Sequence, residues 1–109
     1  MKVIWLQPAL DSFSDVLDYS IEYFGTRIAT RTEEEIFSAI DKLERLPYLG
    51  QVMPEISNDI VSYRRINVNK LLSVIYRVEG DIIYIMFIWD NRRSLHNIYY
   101  FFNDLQFPQ

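Results

Sequence analysis

Cysteine is absent from this chain, so neither a disulfide framework nor a thiolate zinc site can form, and a reducing cytosol is the expected setting. Histidine occurs once, at His96, leaving a single side chain that titrates naturally near neutral pH. Long apolar runs are also missing. The longest, Ile82 to Trp89, is eight residues, far short of the ~20 needed to cross a bilayer as a helix. The N-terminus, MKVIWLQPAL, has no extended apolar h-region and no small-residue cleavage site, so export is not expected. Positive charge is scarce: 11 Lys and Arg face 15 Asp and Glu, for a formal net charge of −4. An acidic whole argues against general affinity for nucleic acid, whose usual footprint is a strongly basic face. No serine triad, phosphate-binding glycine loop or metal-ligand signature is present, so no metal or cofactor is expected.

What is present is apolar and aromatic. Half of the residues are hydrophobic and 16% aromatic, well away from the disordered class. At 109 residues the chain reads as one domain spanning 1–109, able to bury roughly two-thirds of its surface. Charge is unevenly spread: residues 1–60 hold five basic against eleven acidic side chains, and residues 61–109 hold six against four. The basic residues therefore belong to the strands.

Val3 to Leu6 reads as a short strand, and Pro8 suits the first turn of a helix that follows. Leu10, Phe13, Val16, Leu17, Ile21 and Phe24 recur at three and four, as one apolar side. Asp11, Asp15, Asp18 and Glu22 recur on another, which reads as a solvated face. Gly25 is the expected C-terminal cap. A second helix runs to about Leu46 with Ile28, Ala29, Ile36, Phe37, Ile40 and Leu43 inward, and Pro47 ends it, giving an antiparallel hairpin. Residues 47–60, carrying Pro47, Gly50 and Pro54, read as a loop. Three strands follow, over Val61–Val68, Leu71–Val78 and Ile82–Trp89, with Glu79, Gly80 and Asp81 turning the last pair. Ser94–Phe102 reads as a C-terminal helical segment. The architecture is α+β: a helical hairpin on a mostly antiparallel four-stranded sheet, in the order β-α-α-β-β-β.

The ordered set VIWLQPAL, LERLPYLGQVMPE, SYRRINV, VIYRVEGDIIYI and WDNRR resembles toxins of the RelE/ParE superfamily, the stable halves of bacterial type II toxin–antitoxin pairs. The resemblance spans nearly the whole chain. It implies growth inhibition, a role in plasmid stabilisation, a cytoplasmic location, and a cognate antitoxin whose extended segment lies across the toxin's groove or active surface. The superfamily divides by target. RelE-like members cut messenger RNA in the ribosome, whereas ParE-like members poison DNA gyrase.

RNA cleavage through the 2′-hydroxyl needs a base, cationic donors for the phosphorane and a donor for the leaving oxygen. What the resemblance implies for that chemistry is Arg93 after the last strand, Tyr99 as the terminal tyrosine, Arg64 or Arg65 where nucleases carry lysines, and His96 as an alternative. Ser73 stands where such nucleases place an arginine, and arginine itself shuttles protons poorly. That departure favours the ParE-like branch, with an inactive partner-binding member as a further alternative. For a target- or antitoxin-binding surface the candidates are Arg64, Arg77, Asp90, Arg92 and Arg93. Each has a plain counterpart. Arg64 and Arg65 point to opposite faces of a strand, so one of them is free to pair with a carboxylate. Asp90 with Arg92 and Arg93 can equally tie the end of the chain to the sheet, and Tyr99 can equally be packing.

Overall fold

The structure, a computed structural model, describes residues 1–93. The expected C-terminal helical segment, with His96 and Tyr99, lies outside them. The elements are β1 (Lys2–Trp5), α1 (Gln7–Phe24), α2 (Thr26–Arg45), β2 (Gln51–Val52), β3 (Tyr63–Asn67), β4 (Leu72–Glu79) and β5 (Ile82–Asp90). The sheet order is β1-β5-β4-β3-β2. β1 runs parallel to β5 and every other pair is antiparallel. The expected α+β layering is present with five strands in place of four. The extra one is β2, a two-residue pairing of Gln51 with Arg65 and Val52 with Arg64 inside the expected loop. So brief a strand leaves no alternation to read.

Pro8 sits in the first turn of α1, where its missing N–H costs nothing. Gly25 separates the helices at φ 89° and ψ 170°, a backbone region open to glycine and strained for other residues. Ala9, Ile36, Ile40 and Leu43 of the helices pack on Leu72, Val74, Tyr76, Ile83, Ile85 and Ile88 of the sheet. Ser12 binds α1 to β5 directly: its hydroxyl donates to Pro8 O at 2.8 Å and accepts from Ile88 N at 2.9 Å. The hairpin outreaches this core. Every residue from Ile21 to Ile28 is exposed, including Ile21, Phe24 and Ile28, which periodicity placed on the buried side. Phe24 is 58% exposed. The closed end of the hairpin stands clear of the sheet, which periodicity cannot register.

The opposite face of the sheet is covered too. Met53, Tyr63, Ile75, Met86, Phe87 and Trp89 form a second core, joined by Ile56 and Val61 from the loop after β2. Continuous apolar character in β5 thus has two causes. Both faces are buried, and a bulge shifts the strand's phase: Ile75 pairs with Phe87 but Tyr76 pairs with Ile85, leaving Met86 unopposed. Before the bulge Ile83 and Ile85 face the helices. After it Ile88 does, and Phe87 and Trp89 face away.

The loop after α2 is held by one buried phenol. Tyr76 hydroxyl donates to Pro47 O at 2.9 Å and accepts from Gly50 N at 2.8 Å. Burial pushes its pKa up, against the opposing pull of the Gly50 hydrogen bond and the Arg64 charge.

Candidate functional site

The sheet divides the candidate side chains between its two faces. Arg65 lies opposite Ile75 in the register, Tyr63 opposite Arg77, and Asn67 opposite Ser73, so Arg65 and Arg77 share the face away from the helices. Arg64 lies opposite Tyr76, on the helix side. Asp90 lies opposite Leu72 and is on the helix side as well. The expected split of Arg64 from Arg65 is what the register produces.

On the helix side Arg64 is occupied. Its Nη1 donates to Gly50 O at 2.8 Å and Tyr48 O at 3.2 Å, and its guanidinium lies 5.2 Å from the Tyr48 ring centroid. It closes the α2–β2 connection, using a residue that sequence reading offered as a ligand for phosphate. A carbonyl partner fourteen residues away leaves no local sequence signal.

On the other face Arg65 is positioned by neutral groups. Its Nε donates to Ser73 Oγ at 3.1 Å and its Nη2 to Asn91 Oδ1 at 3.0 Å. Ser73, fully buried, has its hydroxyl 2.9 Å from Asn67 Oδ1 and 2.7 Å from Asn91 Oδ1. Asn67, Ser73 and Asn91 were not picked out as a constellation by sequence reading, which noted Ser73 only for the arginine it replaces. Among the described residues no carboxylate pairs with Arg65. Further along the same face, Arg77 stacks 4.9 Å from the centroid of Tyr84 and reaches Glu79 at 3.5 Å. Its Nε is buried and finds no hydrogen-bond partner among the described residues.

At the exit of β5, Asp90 and Arg92 are bound to each other. Oδ1 of Asp90 accepts from the Arg92 backbone N at 2.9 Å and from its Nε at 3.0 Å, and Oδ2 accepts from Nη2 at 2.8 Å. The fork geometry suits a planar guanidinium. These hydrogen bonds hold the Asp90 carboxyl below its usual range and raise the Arg92 pKa, helped there by Tyr19 of α1. Arg93 donates its backbone N to Asp90 O at 3.0 Å and its side chain is exposed.

Because the folded pKa of Asp90 is depressed, the stability it contributes is present above the unfolded carboxylate value and is lost as pH falls through the folded one. Urea titrations of the wild type and Asp90→Asn therefore differ at neutral pH and converge as pH falls below about 4. A difference that stays constant down to the acid limb means that the pair adds nothing.

Between α1 and the β5 exit lies an open groove of about 670 Å³, lined by Asp11, Asp15, Val16 and Tyr19 of α1, by Ile88, and by Asp90, Arg92 and Arg93. It continues towards the hairpin end, where Tyr19 stacks with Tyr23 at 4.6 Å between centroids. The arrangement offers an apolar trough with charged borders and keeps Arg65 and Arg77 on the far face. The described residues do not assemble one cluster of arginines.

Residues 3–95 match the family model of the ParE toxin of type II toxin–antitoxin systems, parDE. This chain belongs to the ParE toxin family. Among solved structures the ParE-family chain is similar to one described as a chromosomal ParDE TA system from P. aeruginosa. The TM-score is 0.68 at 20% identity, covering 83% of this chain and 95% of that one. At that identity the likeness shows the shared fold. A search of curated protein sequences gave no match. Among the described residues no helix is long and apolar enough to cross a membrane.

Proposed function

We propose that this ParE-family chain inhibits DNA gyrase in the bacterial cytoplasm and is neutralised by a cognate antitoxin. The observation that carries this reading is the family match over residues 3–95. The placement of the basic residues supports it. A nuclease needs its donors and its proton-transfer groups around one scissile phosphate. Here Arg64 is spent on loop carbonyls, Arg92 on Asp90, and Ser73 stands where the resemblance to nucleases calls for arginine. Expression without a partner should arrest growth, and the purified chain should block supercoiling of relaxed plasmid by gyrase. Normal growth together with unimpaired supercoiling at saturating protein would falsify the proposal.

One observation favours a second reading, a ribosome-dependent messenger-RNA endonuclease. Arg65 is fixed in place by Ser73 and Asn91 without a carboxylate among the described residues, as a phosphorane donor would be. Primer extension on translated messages after induction separates the two, since codon-associated cuts belong to the nuclease alone.

A further inference from the structure

The sheet ends before the hairpin does. Tyr19, Ile21, Tyr23, Phe24 and Ile28 gather around Gly25 and are each 40–62% exposed, while Ser20 and Ala29 between the same turns are buried. Tyr19 stacks on Tyr23 and meets Phe24 edge-on at 6.2 Å between centroids. At about 200 Å² for a large apolar side chain, half-exposure of five leaves about 500 Å² of apolar surface at one end, near the upper limit for the largest patch of a monomer. Two such patches set against each other, with a polar rim, reach the size of a small specific interface.

The charges at this end suit a second copy of the chain. From Asp18 to Arg31 there are two carboxylates, Asp18 and Glu22, and two guanidinium groups, Arg27 and Arg31. They cancel, so the net −4 of the chain lies elsewhere and two hairpin ends meet without net repulsion. The carboxylates stand on α1 and the cations on α2, which makes a twofold contact of α1 along the second copy's α2 self-complementary. A single overlap satisfies both pairs. Glu22 is three residues from Gly25 and Arg31 six, while Asp18 is seven and Arg27 two. With the ends overlapping by nine residues, about 13 Å of helix, Glu22 comes level with the second copy's Arg31 and Asp18 with its Arg27. Tyr19, six residues from Gly25, is the deepest of the five apolar side chains, so all of them fall inside the overlap. Among the described residues Asp18, Glu22 and Arg27 have no ion pair, and Arg31 has only an exposed one with Glu35.

We infer that the closed end of the helical hairpin is a homodimer interface, two copies sliding past each other tip to tip so that Asp18 and Glu22 of each lie beside Arg27 and Arg31 of the other. The contact does not depend on which target the toxin attacks.

The test is sedimentation velocity on the full chain, with charge reversals at exposed positions that leave the core untouched. The wild type should dimerise with a micromolar dissociation constant. Asp18→Arg and Arg27→Asp each set two repulsive contacts into a twofold dimer and should weaken it at least about tenfold, while circular dichroism stays that of the wild type. An equimolar mixture of the two variants should recover the wild-type affinity, because each copy then carries the charge that the other lacks. Tyr23→Ser with Phe24→Ser should abolish the dimer. A chain that remains monomeric at about 200 µM leaves the hairpin end to a different occupant and overturns the inference. So does a dimer that ignores the charge reversals, or one that they weaken and their mixture does not restore.

Discussion

Replacing Ser73 by arginine is expected to cost about 3–5 kcal/mol, the range for a charge left uncompensated in an interior. At this chain length each kcal/mol moves the melting temperature by about 4 °C, so the fall is roughly 12–20 °C. Ser73 is fully buried and its hydroxyl is shared by Arg65, Asn67 and Asn91. An arginine there would set a second guanidinium beside that of Arg65 and remove the hydroxyl that receives it. The substitution that most resembles a nuclease thus unfolds the site before it can equip it. Ser73→Ala is the milder control, costing about 1–3 kcal/mol for the polar groups left without a partner. Differential scanning fluorimetry decides the matter: a Ser73→Arg protein melting within about 3 °C of wild type would show that the network yields easily.

Gly50→Ala is expected to destabilise by about 1–3 kcal/mol, the usual range for forcing extra atoms into a packed site. A Cβ at this position would lie 2.7 Å from the Tyr76 hydroxyl, 2.8 Å from its Cε1 and 2.9 Å from the backbone O of Arg65. The phenol could move, but the carbonyl belongs to the β3 ladder and cannot move without disturbing it. Tyr76→Phe, which orphans Pro47 O and Gly50 N, costs a similar amount by a different route. The two losses overlap, because displacing the ring already breaks the hydrogen bonds that Tyr76→Phe removes. A double-mutant cycle in urea should give a combined loss smaller than the sum by at least about 0.5 kcal/mol. Strict additivity would mean that Gly50 is small for some reason other than the phenol against it.

How much of this was legible in the sequence depends on the range over which each feature is encoded. Both helices announce themselves through Pro8, Gly25, Pro47 and their apolar spacing, and the turn at Gly80 is local as well. The family resemblance followed from short ordered pieces and agrees with the match over residues 3–95. β2 was missed because two paired residues carry no period. The exposure of Ile21, Phe24 and Ile28 was missed because periodicity reports which way a side chain points, and cannot say whether anything stands there. The polar network of Arg65, Asn67, Ser73 and Asn91 joins β3 and β4 to the turn after β5, and the Arg64 and Tyr76 contacts span fourteen to twenty-nine residues. Such pairings exist only after the sheet has aligned its register. Asp90 and Arg92 lie two apart in one turn, yet the sequence reading set them to bind a partner or to tie the chain's end to the sheet and did not pair them with each other.

The unopposed Met86 in β5 has a consequence for how this chain can change in length. The rest of the strand after it, from Phe87 to Asp90, takes its inside or outside assignment from that single residue. Losing one residue between Tyr76's partner and the exit would exchange the parity of the segment, carrying Asp90 to the aromatic face and Trp89 towards the helices. The loop after β2, by contrast, is bounded by pairings on both sides and can lengthen without altering what any strand presents. Changes in length should therefore be borne at the exposed Asp59–Ile60 tip of that loop, beyond the Ile56 and Ser57 contacts, and excluded between Ile85 and Asp90.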